Sequence, residues 1–154
     1  VNPDSLSRDL VREAPILHHD ESVEHAVRAI LDSGLPALPV VDGKGRLEGI
    51  FGEREFMTAL FPGYVGQLGY AGFIKHVLDD AIKHRAACRN EAVGQHLNRD
   101  HVEVAEDFSD VQIAETFLHH RVLIIPVVAN RQVAGVIIRA DFFRRIAERF
   151  LEAG

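Results

Sequence analysis

The chain has 154 residues, 47% hydrophobic and 26% charged, a globular composition too apolar for a disordered chain. Its 17 basic and 23 acidic residues leave a net charge of −6, which argues against a general nucleic-acid binder, and the single cysteine, Cys88, excludes an internal disulfide and a thiolate zinc cluster. No apolar run approaches the ~18–20 residues of a membrane span and no signal-peptide pattern opens the chain, so a soluble, cytoplasmic protein is expected; the start at Val1 rather than Met leaves room for residues upstream.

The first regular element is a helix. Val23, Ala26, Val27, Ile30 and Leu31 recur at helical spacing and share one face. Asp20 or Ser22 is the natural N-cap. A β-rich run, Ala37–Val41, follows, then the polar turn Asp42-Gly43-Lys44-Gly45, a second run Leu47–Phe51, and a helix from about Glu53. Residues 61–93 form a connector. It opens with a stretch rich in glycine and aromatics, Phe61 to Phe73, and continues as an amphipathic helix from Ile74 through Val77, Leu78, Ala81 and Ile82 to about Ala87. Long connections of this kind are often functional; the stretch is expected either to pack as extra core or to cover a cleft or join a dimer contact. A second helix then carries Ile113, Ala114, Phe117 and Leu118, capped by Asp107 or Ser109. It is followed by the run Leu123–Val128, the turn Ala129-Asn130-Arg131, the run Val133–Ile138, and a helix from Arg139 with Phe142, Phe143, Ile146 and Phe150 facing inward.

The order repeats because the sequence repeats. Ser22 through Phe56 lies over Ser109 through Phe142: Ser22 meets Ser109, Leu31 meets Leu118, and Pro39-Val40-Val41 meets Pro126-Val127-Val128. After a one-residue shortening in the turn, Gly49 meets Gly135 and Phe56 meets Phe142. Upstream, Leu10-Val11-Arg12-Glu13 faces Leu97-Asn98-Arg99-Asp100. One unit of short strand, helix, strand, turn, strand and helix is used twice, at 1–60 and 94–154. Each unit is close to the lower size limit for folding alone, so the two are expected to pack their sheets together and share one core. Pro39 and Pro126 cannot donate to a central ladder and are expected at edges or strand starts, where a cleft would open.

A helix followed by hPVVD, G-x-h-x-G-h-h and an acidic residue six positions after the second glycine resembles the cystathionine-β-synthase (CBS) domain. Two copies in tandem resemble the regulatory pair known as a Bateman module. The resemblance implies an α+β fold of two pseudo-twofold-related β-α-β-β-α units packed through their sheets. It also implies two clefts that take adenosine-type ligands (AMP, ADP, ATP or S-adenosylmethionine), a homodimer of pairs, and regulation of another protein without catalysis.

Carried onto this sequence, the family's ribose-binding carboxylate falls on Asp141 and, one methylene longer, on Glu55. The hydroxyl that holds phosphate at a helix start falls on Ile138 and Gly52, which have none; Arg139, Arg121 and Arg54 are candidates to compensate with guanidinium donors. The adenine-binding positions fall on Asp100, His101, Val102, Ile125 and Pro126 in the second copy, and on Glu13, Ala14, Pro15, Leu38 and Pro39 in the first. The nine histidines include His18-His19 and His119-His120, but neighbours on a strand face opposite ways and no helical zinc spacing is present, so no metal is expected. No nucleophile–base set appears. Two functions stay open: a ligand-sensing regulatory module with no required cofactor, and a dimerisation or protein-interaction module whose clefts are degenerate and ligand-free. No nucleic-acid or membrane partner is expected.

Overall fold

The computed structural model describes residues 5–61 and 77–154. The first unit comprises β1 (Leu17–His18), α1 (Val23–Ser33), β2 (Ala37–Val41), β3 (Leu47–Gly52) and α2 (Glu53–Leu60). A connector helix, α3 (Val77–His84), leads into two short 3₁₀ turns. The second unit comprises β4 (Val104–Ala105), α4 (Asp110–His119), β5 (Ile124–Ala129), β6 (Gln132–Ile138) and α5 (Arg139–Glu152). Each unit is a three-stranded mixed sheet of the same plan, in the orders β1-β2-β3 and β4-β5-β6. The duplication read in the sequence is a duplication of structure.

Local chemistry sets the element ends. Ser22 and Ser109 are the N-caps, their hydroxyls accepting from the backbone N–H of His25 and Gln112, each at 3.1 Å. The turn of the first hairpin is held by Asp42, whose Oδ1 accepts from the N–H groups of Lys44 (2.8 Å) and Arg46 (3.0 Å). In the second hairpin Asn130 and Arg131 both adopt positive φ, 52° and 66°, a tight two-residue turn that accounts for the one-residue shortening.

Pro39 and Pro126 correct the expectation of edge positions. Both sit in the central strand of a sheet, Pro39 opposite Ile50 and Pro126 opposite Val136. Glu53 N–H donates to Pro36 O and Arg139 N–H to Leu123 O. Antiparallel alternation from those bonds puts each proline at a non-hydrogen-bonded pair, its missing N–H turned toward the parallel neighbour. That neighbour has ended there: β1 reaches only Val40 and Val41, and β4 only Val127 and Val128. A two-residue partner strand is what makes a central proline tolerable.

The units interlock by exchanging chain. Arg12, upstream of the first unit, bridges β6 at Val136, with N–H to O distances of 2.8 and 2.9 Å. Asn98, upstream of the second, bridges β3 at Ile50 at 2.9 and 3.1 Å. The paired glycines of the repeat make room for this exchange. A Cβ on Gly49 would lie 2.5 Å from Asn98 O, and one on Gly135 would lie 2.7 Å from Arg12 O. The hydrophobic interior correspondingly has two lobes rather than one common core, with Ile124, Val136 and Ile138 of the second unit packed into the lobe of the first.

Two apolar expectations turn out differently. In α5 only Phe142 faces in, its ring packed on Phe117 at 5.5 Å between centroids. Phe143 is 71% exposed and Phe150 76%, and Ile146 is also exposed. The stripe beginning at Phe143 lies about 100° around the helix from Phe142 and so clears the sheet. Leu31 and Leu118, paired by the repeat, are likewise both exposed. Cys88 is buried, which pushes its thiol up. The Phe61–Phe73 expectation lies, from residue 62 on, outside the described residues.

Candidate functional site

The two helices that carry the acidic positions start in the same way. β3 and β6 run directly into α2 and α5, and the first helical N–H of each is tied to the residue that leads into the partner strand, Glu53 to Pro36 O at 3.1 Å and Arg139 to Leu123 O at 3.0 Å. Asp141 is therefore fixed in the first turn of a 14-residue helix, where the dipole favours a carboxylate. The strand exchange brings Arg12 against it. Arg12 Nε lies 2.7 Å from Asp141 Oδ2, and Arg12 Nη2 donates to Oδ1 at 2.9 Å, a bidentate fork. A carboxylate offers about four acceptor sites, so two stay open to a further donor.

A cavity of about 280 Å³ opens beside this pair, lined by Arg12, Gly34, Leu35, Pro36, Glu53, Ile138, Ala140 and Asp141. One wall comes from each unit. On the far side of the same ion pair, a second hollow of about 250 Å³ is lined by Asp9, Leu10, Arg144, Arg145 and Glu148 as well.

The repeat-related cleft is nearly closed, at about 10 Å³, between Ala37, Ile50, Arg54, Glu55, Asn98, Arg121, Val122 and Leu123. Two contacts close it. Arg54 Nη1 donates across the mouth to Arg121 O at 2.9 Å. Glu55 turns back to its own helix start, where Oε1 accepts from Gly52 N–H at 3.0 Å; burial pushes its carboxyl above the ordinary range, against the pull of that hydrogen bond. A Cβ at Gly52 would lie 2.6 Å from Pro36 O, so no hydroxyl-bearing residue fits at this position without displacing the strand.

The sequence-derived residues thus separate. Asp141 and Ile138 line the open cleft, and Glu55, Arg54 and Arg121 line the closed one. Leu38, Pro39, Ile125 and Pro126 are buried within the central strands, and Arg139 is exposed at the start of α5. Asp100 is exposed, while His101 and Val102 are half-buried on the chain leading to β4, where His101 Nε2 lies 3.3 Å from Glu103. Among the described residues, no group of three His, Cys, Asp or Glu side chains is placed to hold a metal. Sequence reasoning missed Arg12, Glu53 and the Gly34-Leu35-Pro36 wall. Their signal was the repeat: Gly34-Leu35-Pro36 occupies the place of Arg121-Val122-Leu123, and Arg12 belongs to the duplicated upstream stretch.

Comparison with known proteins bears on this arrangement. A family model for the CBS domain matches residues 7–62. No curated protein matches the chain. Among solved structures, a CBS domain-containing protein of Kribbella flavida is similar over 92% of this chain and 97% of its own, with a TM-score of 0.68 and 22% identity. The CBS-domain containing protein ATU1752 of Agrobacterium tumefaciens covers 95% and 98%, with a TM-score of 0.68 and 20% identity. CBSX2, solved in complex with AMP, covers 94% and 97%, with a TM-score of 0.65 and 15% identity. Residues 7–62 match the CBS-domain model, and the chain as a whole, its second unit built to the same plan, has the fold of these CBS domain-containing proteins.

Proposed function

We propose that this CBS pair is a non-catalytic regulatory module that senses an adenosine-type ligand, a nucleotide or S-adenosylmethionine, and biases a partner protein accordingly. The observation that carries this reading is the 280 Å³ cavity between the units with Asp141 on its wall, at the position where the family places its ribose carboxylate. Asp141 keeps two acceptor sites free for vicinal hydroxyls. AMP in the related CBSX2 structure supports the ligand class. The cavity is slightly below the usual ~300–1,000 Å³ of ligand pockets, so the ligand widens it modestly on entry. One ligand per chain is expected, since the Glu55 cleft is closed by its own contacts.

Pairs of these chains associate through the outward stripe of α5, Phe143, Ile146 and Phe150, in the manner of the family's homodimers. The repeats bounded at 1–60 and 94–154 are the units that this dimer and the ligand cleft both use.

A second reading, a dimerisation or interaction module with ligand-free clefts, is favoured by the closed Glu55 cleft and by the prior hold of Arg12 on Asp141. Thermal unfolding separates the two. A ligand at 100 times its Kd adds ~2.7 kcal/mol, or about 5–10 °C at this size, and Asp141→Ala removes the shift. No shift with any adenosine compound supports the second reading.

A further inference from the structure

We infer that the adenosyl ligand of the Asp141 cleft carries no phosphate, its 5′ arm being neutral or cationic as in adenosine or S-adenosylmethionine. The inference rests on the regulatory reading above and narrows it.

Three observations converge. The ionisable side chains lining the cleft are Arg12, Glu53 and Asp141, one cation against two carboxylates, so the site is net negative before a ligand enters. The one cation is already engaged, its Nε and Nη2 lying within 2.9 Å of Asp141 oxygens. Turning it toward a phosphate would strip the ribose acceptor of its partner, so one guanidinium cannot serve both groups at full strength. Finally, the helix start offers a phosphate no hydroxyl and one N–H fewer. Its N-cap is the apolar, buried Ile138 with no side-chain capping bond, the N–H of Arg139 is bound to Leu123 O, and the dipole already faces Asp141. The Arg139 side chain is exposed and does not line the cavity.

The closed cleft shows the opposite balance. Arg54 and Arg121 outnumber Glu55 there, yet no room remains for an anion. The repeat has separated its two assets: one cleft keeps the space, the other the positive charge. At the first residue of the helix beside the open cleft stands Glu53, where the second unit has Arg139.

Titration calorimetry of the full chain with adenosine, S-adenosylmethionine and AMP tests this, beside a Glu53→Gln variant whose exposed position keeps folding unaffected. Wild-type protein is expected to bind adenosine and S-adenosylmethionine at least about tenfold more tightly than AMP, and Glu53→Gln to narrow that gap severalfold at low ionic strength by removing one like charge. AMP bound as tightly as adenosine, or a gap unmoved by Glu53→Gln, overturns the inference while leaving the regulatory reading standing. Wild-type protein that binds none of the three compounds overturns both.

Discussion

Gly135→Ala is expected to unfasten the two units from each other. The added Cβ would lie 2.7 Å from both Arg12 O and Val11 Cγ1, where ordinary contact begins near 3.4 Å. The exchanged segment must retreat by about 0.7 Å or β6 must bend. Either movement strains the reciprocal Arg12–Val136 hydrogen bonds, now 2.8 and 2.9 Å. Each such bond contributes ~0.5–1.5 kcal/mol, and forced overpacking costs a further ~1–3 kcal/mol. The reduced freedom of the unfolded chain returns only ~0.4–1 kcal/mol. A net loss of about 2–4 kcal/mol, or roughly 4–16 °C in Tm at this size, follows. Gly49→Ala, with its Cβ 2.5 Å from Asn98 O, should behave alike. Gly43 is the control: its Cβ meets nothing within 4 Å, and alanine there is expected to be neutral within ~0.5 kcal/mol. Urea unfolding of the three variants measures the differences. If Gly135→Ala and Gly43→Ala lose the same stability, the exchanged strands do not clamp the pair.

Other consequences follow from the same contacts. Asp110 accepts from Ser5 Oγ, from the N–H groups of Leu6 and Ser7, and from the Ser7 hydroxyl, fastening the N-terminal segment to α4. Burial alone would raise its carboxyl, but the hydrogen bonds from Ser7, Leu6 and Ser5 outweigh burial and hold it below the ordinary range. A depressed carboxylate stabilises above the unfolded pKa of ~3.9 and loses that contribution as pH falls through the folded value. Tm followed from pH 6 to 2 should therefore drop below about pH 4, more steeply in wild type than in Asp110→Asn; equal slopes would remove Asp110 from the explanation. If the chains pair through α5 as proposed, Phe143→Glu with Phe150→Glu should turn a dimer into a monomer in light scattering, and a double variant of wild-type mass would place the contact elsewhere. Arg54→Ala removes the bond across the mouth of the closed cleft and is expected to leave the unfolding free energy within ~0.5 kcal/mol of wild type, the donor being exposed.

The sequence carried the elements well because each is locally encoded. Ser22 and Ser109 cap their helices, β2 runs over Ala37–Val41 as its apolar run suggests, and the repeat sets the strand–turn–strand segments at matching places in the two units. What was not legible depends on contacts made across the chain. The prolines read as edge residues because nothing local reveals that β1 and β4 stop after two residues. The stripe of Phe143, Ile146 and Phe150 read as core because periodicity reports an apolar face without saying which side the sheet occupies.

The site divides along the same line. Asp141 was legible from its motif, since its place follows from the strand–helix junction alone. Arg12 was not, because it arrives by strand exchange from 129 positions away. Closure of the Glu55 cleft also depends on distant groups: Arg54 reaches the carbonyl of Arg121, and Gly52 lacks space for a side chain because Pro36 crosses it.

A crystal structure of the protein grown with adenosine addresses the ligand site most directly. Density is expected between Gly34-Leu35-Pro36 and Ile138, with the ribose hydroxyls within ~3 Å of the Asp141 oxygens and the Glu55 cleft still shut. Ligand at Glu55 instead, or a cavity beside Asp141 that stays empty at saturating adenosine, would contradict it.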